Sequence, residues 1–147
     1  MTGFLTEKCK ISIASTTTAG AAGTSAITSS AVDMAGFDGC TFVIPLGTIV
    51  AGAATSVKIQ QCDTSGGSYA DLTGTNITIA DDDDDGLRYV DVLRPREQFL
   101  KCVVSRATQN ATIGGIVAIQ YRARLAPVTH GSGVEGEQHR WAAEGTA

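Results

Sequence analysis

Five consecutive aspartates, Asp81 to Asp85, followed by Gly86, form the densest cluster of possible ligands in the chain. Three alternate carboxylates, Asp81, Asp83 and Asp85, resemble the opening of a calcium loop, because a hard cation is held by clustered oxygens. The twelfth position counted from Asp81 is Val92, where an EF-hand loop needs a bidentate Glu, and no helical pattern flanks the run. The run therefore reads as a self-repelling, solvated turn that keeps the surface acidic, with those three residues as the metal candidates it leaves. A calcium-dependent, lectin-like module is the binding class such a site would support.

Catalytic constellations are thin. The two histidines, His130 and His139, fall in or beside a polar C-terminal segment, where holding a base within about 0.5 Å of a productive geometry is difficult. No Ser sits in a G-x-S-x-G elbow, and Gly66-Gly67 lacks the Lys and helix of a phosphate-binding loop. Cys9, Cys40, Cys62 and Cys102 form no C-x-x-C pair and mostly lie in apolar strand patterns, so they read as buried structural thiols. Asn76-Ile77-Thr78 and Asn110-Ala111-Thr112 match glycosylation acceptors but carry no weight without secretion. The expectation is a non-enzyme with no cofactor.

The 147 residues suit one domain with a real core, and with aromatics at 5% that core must come from Ile, Val, Leu and Ala. The net charge of −4 argues against a nucleic-acid coat, which depends on clustered cations. Yet Arg88, Arg94, Arg96, Lys101, Arg106, Arg122 and Arg124 all lie between residues 88 and 124, either as solvated strand faces or as a surface for an acidic partner. Met1 to Lys10 lacks the charged start and apolar core of a signal peptide, and no run approaches the roughly 20 apolar residues that span a bilayer. Synthesis in a cytoplasm is expected, with no membrane partner.

Period-two alternation dominates the chain. It places Cys9, Ile11 and Ile13 on one face of a first strand. It does the same for Cys40, Phe42, Ile44 and Leu46, then Val57 with Ile59, Ile77 with Ile79, and Val90 with Val92. Leu100, Cys102 and Val104 share a face in the next strand, and Ile113, Val117, Ile119 and Tyr121 in the last. Pro45 cannot donate to a ladder, which predicts an edge position or a bulge for its strand. Gly114-Gly115 permits a bulge or a close approach. Residues 15–31 read as a small-residue loop with a brief strand near Ala26 to Thr28, and one helical turn is allowed near Asp33 to Ala35. The prediction is an all-β, single jelly-roll-like sandwich over 9–127, with an N-terminal arm over 1–8 and a C-terminal arm over 128–147. Its core would include Ile11, Ile13, Phe42, Ile44, Val57, Ile59, Ile77, Ile79, Val90, Val92, Val104, Val117 and Ile119.

A series of short phrases runs from about residue 25 onward: SAVDMAGFDG over 30–39, Arg94-Pro95, GIVAIQY over 115–121, APVTH over 126–130 and EGTA over 144–147. This series resembles a family of small head proteins of tailed bacteriophages and prophages. The resemblance implies a capsid decoration, or cement, protein on the outer surface of an HK97-type capsid, within a virion assembled in a bacterial cytoplasm. Proteins of that kind are β-rich, bind as dimers or trimers at symmetry axes, and bridge neighbouring major capsid subunits. A tail, head-completion or fibre-associated virion protein is the alternative within the same setting. Contacts with the major capsid protein are expected from residues 1–8, from the 15–31 loop and from the C-terminal arm. The named candidates are Arg122, Arg124, His130, His139, Arg140 and Trp141, the last because an indole buries a large area in a partner's pocket.

Overall fold

The computed structural model describes residues 3–15, 21–141 and 143–145. After a single 3-10 turn at Leu5–Glu7, the regular structure is strand throughout: β1 (Lys10–Ser15), β2 (Ala22–Gly23), β3 (Ile27–Thr28), β4 (Val32–Asp33), β5 (Gly39–Ile49), β6 (Ala54–Cys62), β7 (Ala70–Asp71), β8 (Ile77–Ile79), β9 (Leu87–Leu93), β10 (Phe99–Ala107), β11 (Ala111–Ile113) and β12 (Ile116–Tyr121). The expected strand near Ala26 to Thr28 is β3. The helical turn allowed near Asp33 to Ala35 is instead the end of β4, where the Asp33 carboxylate accepts the Ala35 N–H at 2.9 Å. Residues 16–20 of the expected small-residue loop lie outside the described residues.

Every strand pairing is antiparallel, and the strands form two sheets. In the first, β1 pairs β12, β12 pairs β5 and β5 pairs β9, while β11 continues the line of β12 along β5 and carries β2 on its far side. In the second, β3 and β4 flank β10, β10 pairs β6, and β6 carries β7 and β8. Short collinear pieces count as single interrupted positions: β1 with β2, β3 with β4, β7 with β8, and β11 with β12. The sheet orders are then 1-8-3-6 and 2-7-4-5, a double Greek key, so the expected jelly roll is what the chain builds. Its logic is nested pairing, first position with eighth, second with seventh, third with sixth and fourth with fifth.

The core between the sheets is aliphatic, as a chain poor in aromatics requires. Phe42, Ile44, Ile59, Leu100, Val104 and Ile113 are all fully buried, together with Cys40 and Cys102. Burial pushes the thiols of Cys40 and Cys102 up to about 12, the nearby Asp91 charge adding to the effect at Cys40, so both behave as small hydrophobes. Inside the sandwich Arg106 makes no ion pair among the described residues. Its guanidinium instead donates to the carbonyls of Ser25 (2.7 Å), Ala21 (3.0 Å) and Ala111 (2.8 Å), tying the β2–β3 segment to the start of β11.

Two strands turn opposite to expectation. Ile113 is buried, but beyond the Gly114-Gly115 step it is Ile116, Ala118 and Gln120 that face inward. Gly115 has φ +121°, and the extra residue at this irregularity flips every later side chain to the other face. Val117, Ile119 and Tyr121 therefore point outward. Their antiparallel partners Ile13 and Ile11 follow them, through the pairs Ile13 with Val117 and Ile11 with Ile119. Ile13 is 45% exposed, while Ala14 takes the inward position on β1. Ile77 is half-buried beside fully buried Ile79. Pro45 divides the expectation: β5 is paired on both sides and is no edge, while its pairing with β11 does carry a register shift beside Pro45, between Leu46 and Ile49. Its missing N–H falls at the glycine irregularity of the neighbouring strand, where Gly114 N–H donates to the Pro45 carbonyl at 2.8 Å.

Candidate interaction surface

The aspartate run closes one end of the sandwich by capping backbone. Asp81 accepts the Gly52 N–H and Asp84 accepts the Ile49 N–H, each at 2.6 Å, which joins the β8–β9 turn to the β5–β6 turn. Asp83 accepts the Ala80 N–H at 2.9 Å and pairs with the Arg88 guanidinium; that bond and the backbone N–H hold its carboxyl below the usual Asp range. Asp85 occupies the left-handed region at φ 55° and donates its N–H to the Gly47 carbonyl. The three calcium candidates thus point to separate structural tasks. Among the described residues no group of three or more His, Cys, Asp or Glu is arranged to hold a metal.

The opposite end carries Arg94, Arg96, Arg122 and Arg124. Arg94, Arg96 and Arg124 line an open cleft with Met34 to Asp38 and Pro95 to Gln98. Arg94 and Arg122 both sit at positive φ, 52° and 53°, as their strands end. Backbone bonds hold the loops in place: Arg94 N–H to the Asp38 carbonyl at 2.7 Å, and Arg124 N–H to the Gly36 carbonyl at 2.9 Å. The Arg124 side chain is largely exposed and lies 3.7 Å from Asp38. Two of the predicted partner residues, Arg122 and Arg124, are therefore solvent-facing cations at this end.

The C-terminal segment folds back along β1. Val128 N–H donates to the Glu7 carbonyl (3.0 Å), Ile11 N–H to His130 Nδ1 (3.1 Å), and Gly131 N–H to the Ile11 carbonyl (2.8 Å). Further on, Gln138 donates to the Thr6 hydroxyl at 2.7 Å, and the Arg140 guanidinium lies over the Phe4 ring, 5.2 Å from its centre. His139 pairs with Glu137 at 2.8 Å. Both expected arms thus brace one another and the first strand, and His130 is engaged inside the molecule. Trp141 is 92% exposed, and Leu125 at 86% is another free apolar side chain.

Between the two ends, the outer face of the first sheet carries a row of apolar side chains. The register aligns Ile13, Val117, Val43 and Tyr89 in one row across β1, β12, β5 and β9, above a second row of Ile11, Ile119, Thr41 and Asp91. Tyr121 lies across Gly39, where any side chain would overlap its ring, and its hydroxyl donates to Asp91 at 2.7 Å. Burial, then that bond to the Asp91 carboxylate, pushes the Tyr121 phenol up to about 12. Tyr89, Leu87 and Leu93 complete the face on β9, each more than half exposed. None of Val43, Leu87, Tyr89 or Leu93 was named from sequence. The signal was present in β9, whose LRYVDVL places apolar residues at both parities, one set for the core and one for the outside.

No family model and no curated protein matches this chain. Among the described residues no helix is long and apolar enough to cross a membrane.

Proposed function

We propose that this chain is a capsid decoration protein, a cement subunit that binds the outer surface of an HK97-type shell and bridges neighbouring major capsid subunits. The observation that carries the reading is the outer face of the first sheet. A finished sandwich buries its apolar residues between its sheets, yet here Ile13, Val117, Val43 and Tyr89 form a row on the outside. Single exposed hydrophobes need no explanation, but a continuous apolar sheet face marks an interaction site. The phage-head phrases of the sequence supply the setting.

The physical demands of cementing fit these parts. A decoration protein binds a lattice many times over, so a modest contact per copy becomes tight attachment through its neighbours. An apolar row across the sheet gives area, the exposed arginines at one end give complementarity to an acidic subunit surface, and Trp141 gives an anchor. None of this uses a cofactor.

The test is binding of purified protein to expanded heads that lack it, imaged by cryo-microscopy. Saturable density bridging capsomers is the expected result. A bare shell, with the protein still present in whole particles, would assign it instead to the tail, the head-completion complex or a fibre.

A further inference from the structure

The four sheet edges are treated unequally. In the second sheet both edges are broken into two- and three-residue pieces, β3 with β4 and β7 with β8, too short to template another strand. In the first sheet the β1 edge is covered by the returning C-terminal segment. The remaining edge, β9, is seven residues long and contains neither Pro nor a bulge. Two flanking bonds fix its phase, Leu46 N–H to the Gly86 carbonyl and Arg94 N–H to the Asp38 carbonyl. Even-numbered residues therefore bond to β5, and the backbone of Leu87, Tyr89, Asp91 and Leu93 faces away. Among the described residues, only the Leu87 carbonyl in that set has a partner, the Arg88 guanidinium at 3.1 Å.

We propose that β9 is a self-pairing edge, through which two copies of this chain join antiparallel about a two-fold axis at Val90 and form one continuous sheet. The register follows from the side chains. An axis at Asp91 would set Asp91 against its own copy, and like charges directly opposite repel. An axis at Val90 sets Leu87 against Leu93 of the second copy, and Tyr89 against Asp91 of the second copy. Both pairs lie on the outer face and each occurs twice. A two-fold contact is closed, so it satisfies the exposed donors and acceptors without propagating into a fibre. The edge is about 23 Å long at about 3.3 Å per residue, a short contact, so the dimer is expected to form and dissociate with concentration. The inference stands on the edge alone and does not depend on the capsid reading. If both hold, pairing doubles the apolar face that a shell would meet.

Sedimentation of the purified chain over a micromolar concentration series tests it, together with three substitutions at Tyr89. Tyr89→Pro removes an N–H that faces only the open edge, and should abolish the dimer. Tyr89→Glu places a like charge beside Asp91 of the second copy and should weaken the dimer by about 2- to 30-fold, two pairs each changing by a typical cross-strand amount. Tyr89→Lys should tighten it over a similar range. Hydrogen exchange adds a direct view: the Tyr89, Asp91 and Leu93 amides should slow with rising concentration, while that of Ile11 should not change. A chain that stays monomeric throughout, or a dimer indifferent to Tyr89→Glu and Tyr89→Lys, would overturn the proposal. Should Tyr89→Pro fail to fold, the opposed charge variants decide the matter.

Discussion

The β1 and β9 edges of the first sheet face the same physical problem and meet it differently. Each presents a row of unpaired donors and acceptors, which in an exposed strand invites another chain. On β1 the chain answers from within, since His130 and Gly131 take both backbone groups of Ile11. On β9 nothing in the described residues answers for Tyr89, Asp91 or Leu93. A dedicated segment over one edge beside a bare second edge is the asymmetry that self-pairing at β9 would explain.

The largest way to break this comparison is to remove residues 128–147. The truncated chain loses the bonds on Glu7 and Ile11, worth about 1 kcal/mol each, and should lose about 2–4 kcal/mol of stability in denaturant unfolding. With two open edges on one sheet it should also assemble past a dimer into open-ended aggregates, visible by light scattering. A truncated chain that is equally stable and discrete would show that the segment guards nothing. Next comes Gly115→Val. A branched residue at φ +121° strains the step that turns Val117 and Ile119 outward, and should cost about 1–3 kcal/mol by thermal unfolding. His130→Ala is gentler: one acceptor on the covered edge disappears, the expected loss is about 1 kcal/mol, and exchange should quicken at the Ile11 amide while the β9 amides keep their rates.

Smaller still is the acid response. Arg88, with the Ala80 N–H, lowers the Asp83 pKa in the folded state, and Lys58, with Gln60, does the same for Asp71. A depressed folded-state pKa stabilises above the unfolded value, about 3.9, and that stability is lost as pH falls through the lower folded value. Asp83→Asn should therefore flatten the acid limb of the stability curve while changing little at pH 7 beyond the lost ion pair. Asp71 is exposed and Asp83 only half-buried, so solvent screening keeps the effect modest. Smallest of all, calcium should leave the melting temperature unchanged, because the carboxylates of Asp81, Asp83 and Asp84 already serve backbone N–H groups; a saturable rise would revive the ion-binding reading.

The strands were legible because alternation is a local signal. Phe42, Ile44, Val57, Ile59, Val90, Val92 and Val104 all face the core as the pattern demands. The phase of β12 was not, because Ile116, Val117, Ala118 and Ile119 are apolar at both parities, and only the conformation of Gly115 chooses between them. Pro45 left edge and bulge open for a related reason: a missing donor is tolerated at either, and the pairing of β5 on both sides, which decides for the irregular register, is a tertiary fact. The docking of the C-terminal segment escaped notice since two of its three bonds along Glu7 and Ile11 are backbone to backbone and leave no trace in residue type. Arg122 and Arg124 were legible as exposed cations, whereas the open β9 edge belongs to the topology and to no motif.

The nested pairing of the jelly roll also orders events in time. The turn joining β6 to β7 and β8 closes a short loop, whereas β1 and β12 are separated by about a hundred residues and pair across a far larger one. Loop closure grows costlier with length, so the ribbon should zip from its middle outward, with the β1–β12 rung among the last to form. Until then β12 has an open side, and so does β1 until the C-terminal segment settles on it. The segment that guards β1 in the native state should thus also close over one of the last rungs to form, and refolding at high concentration is when its absence should be felt most.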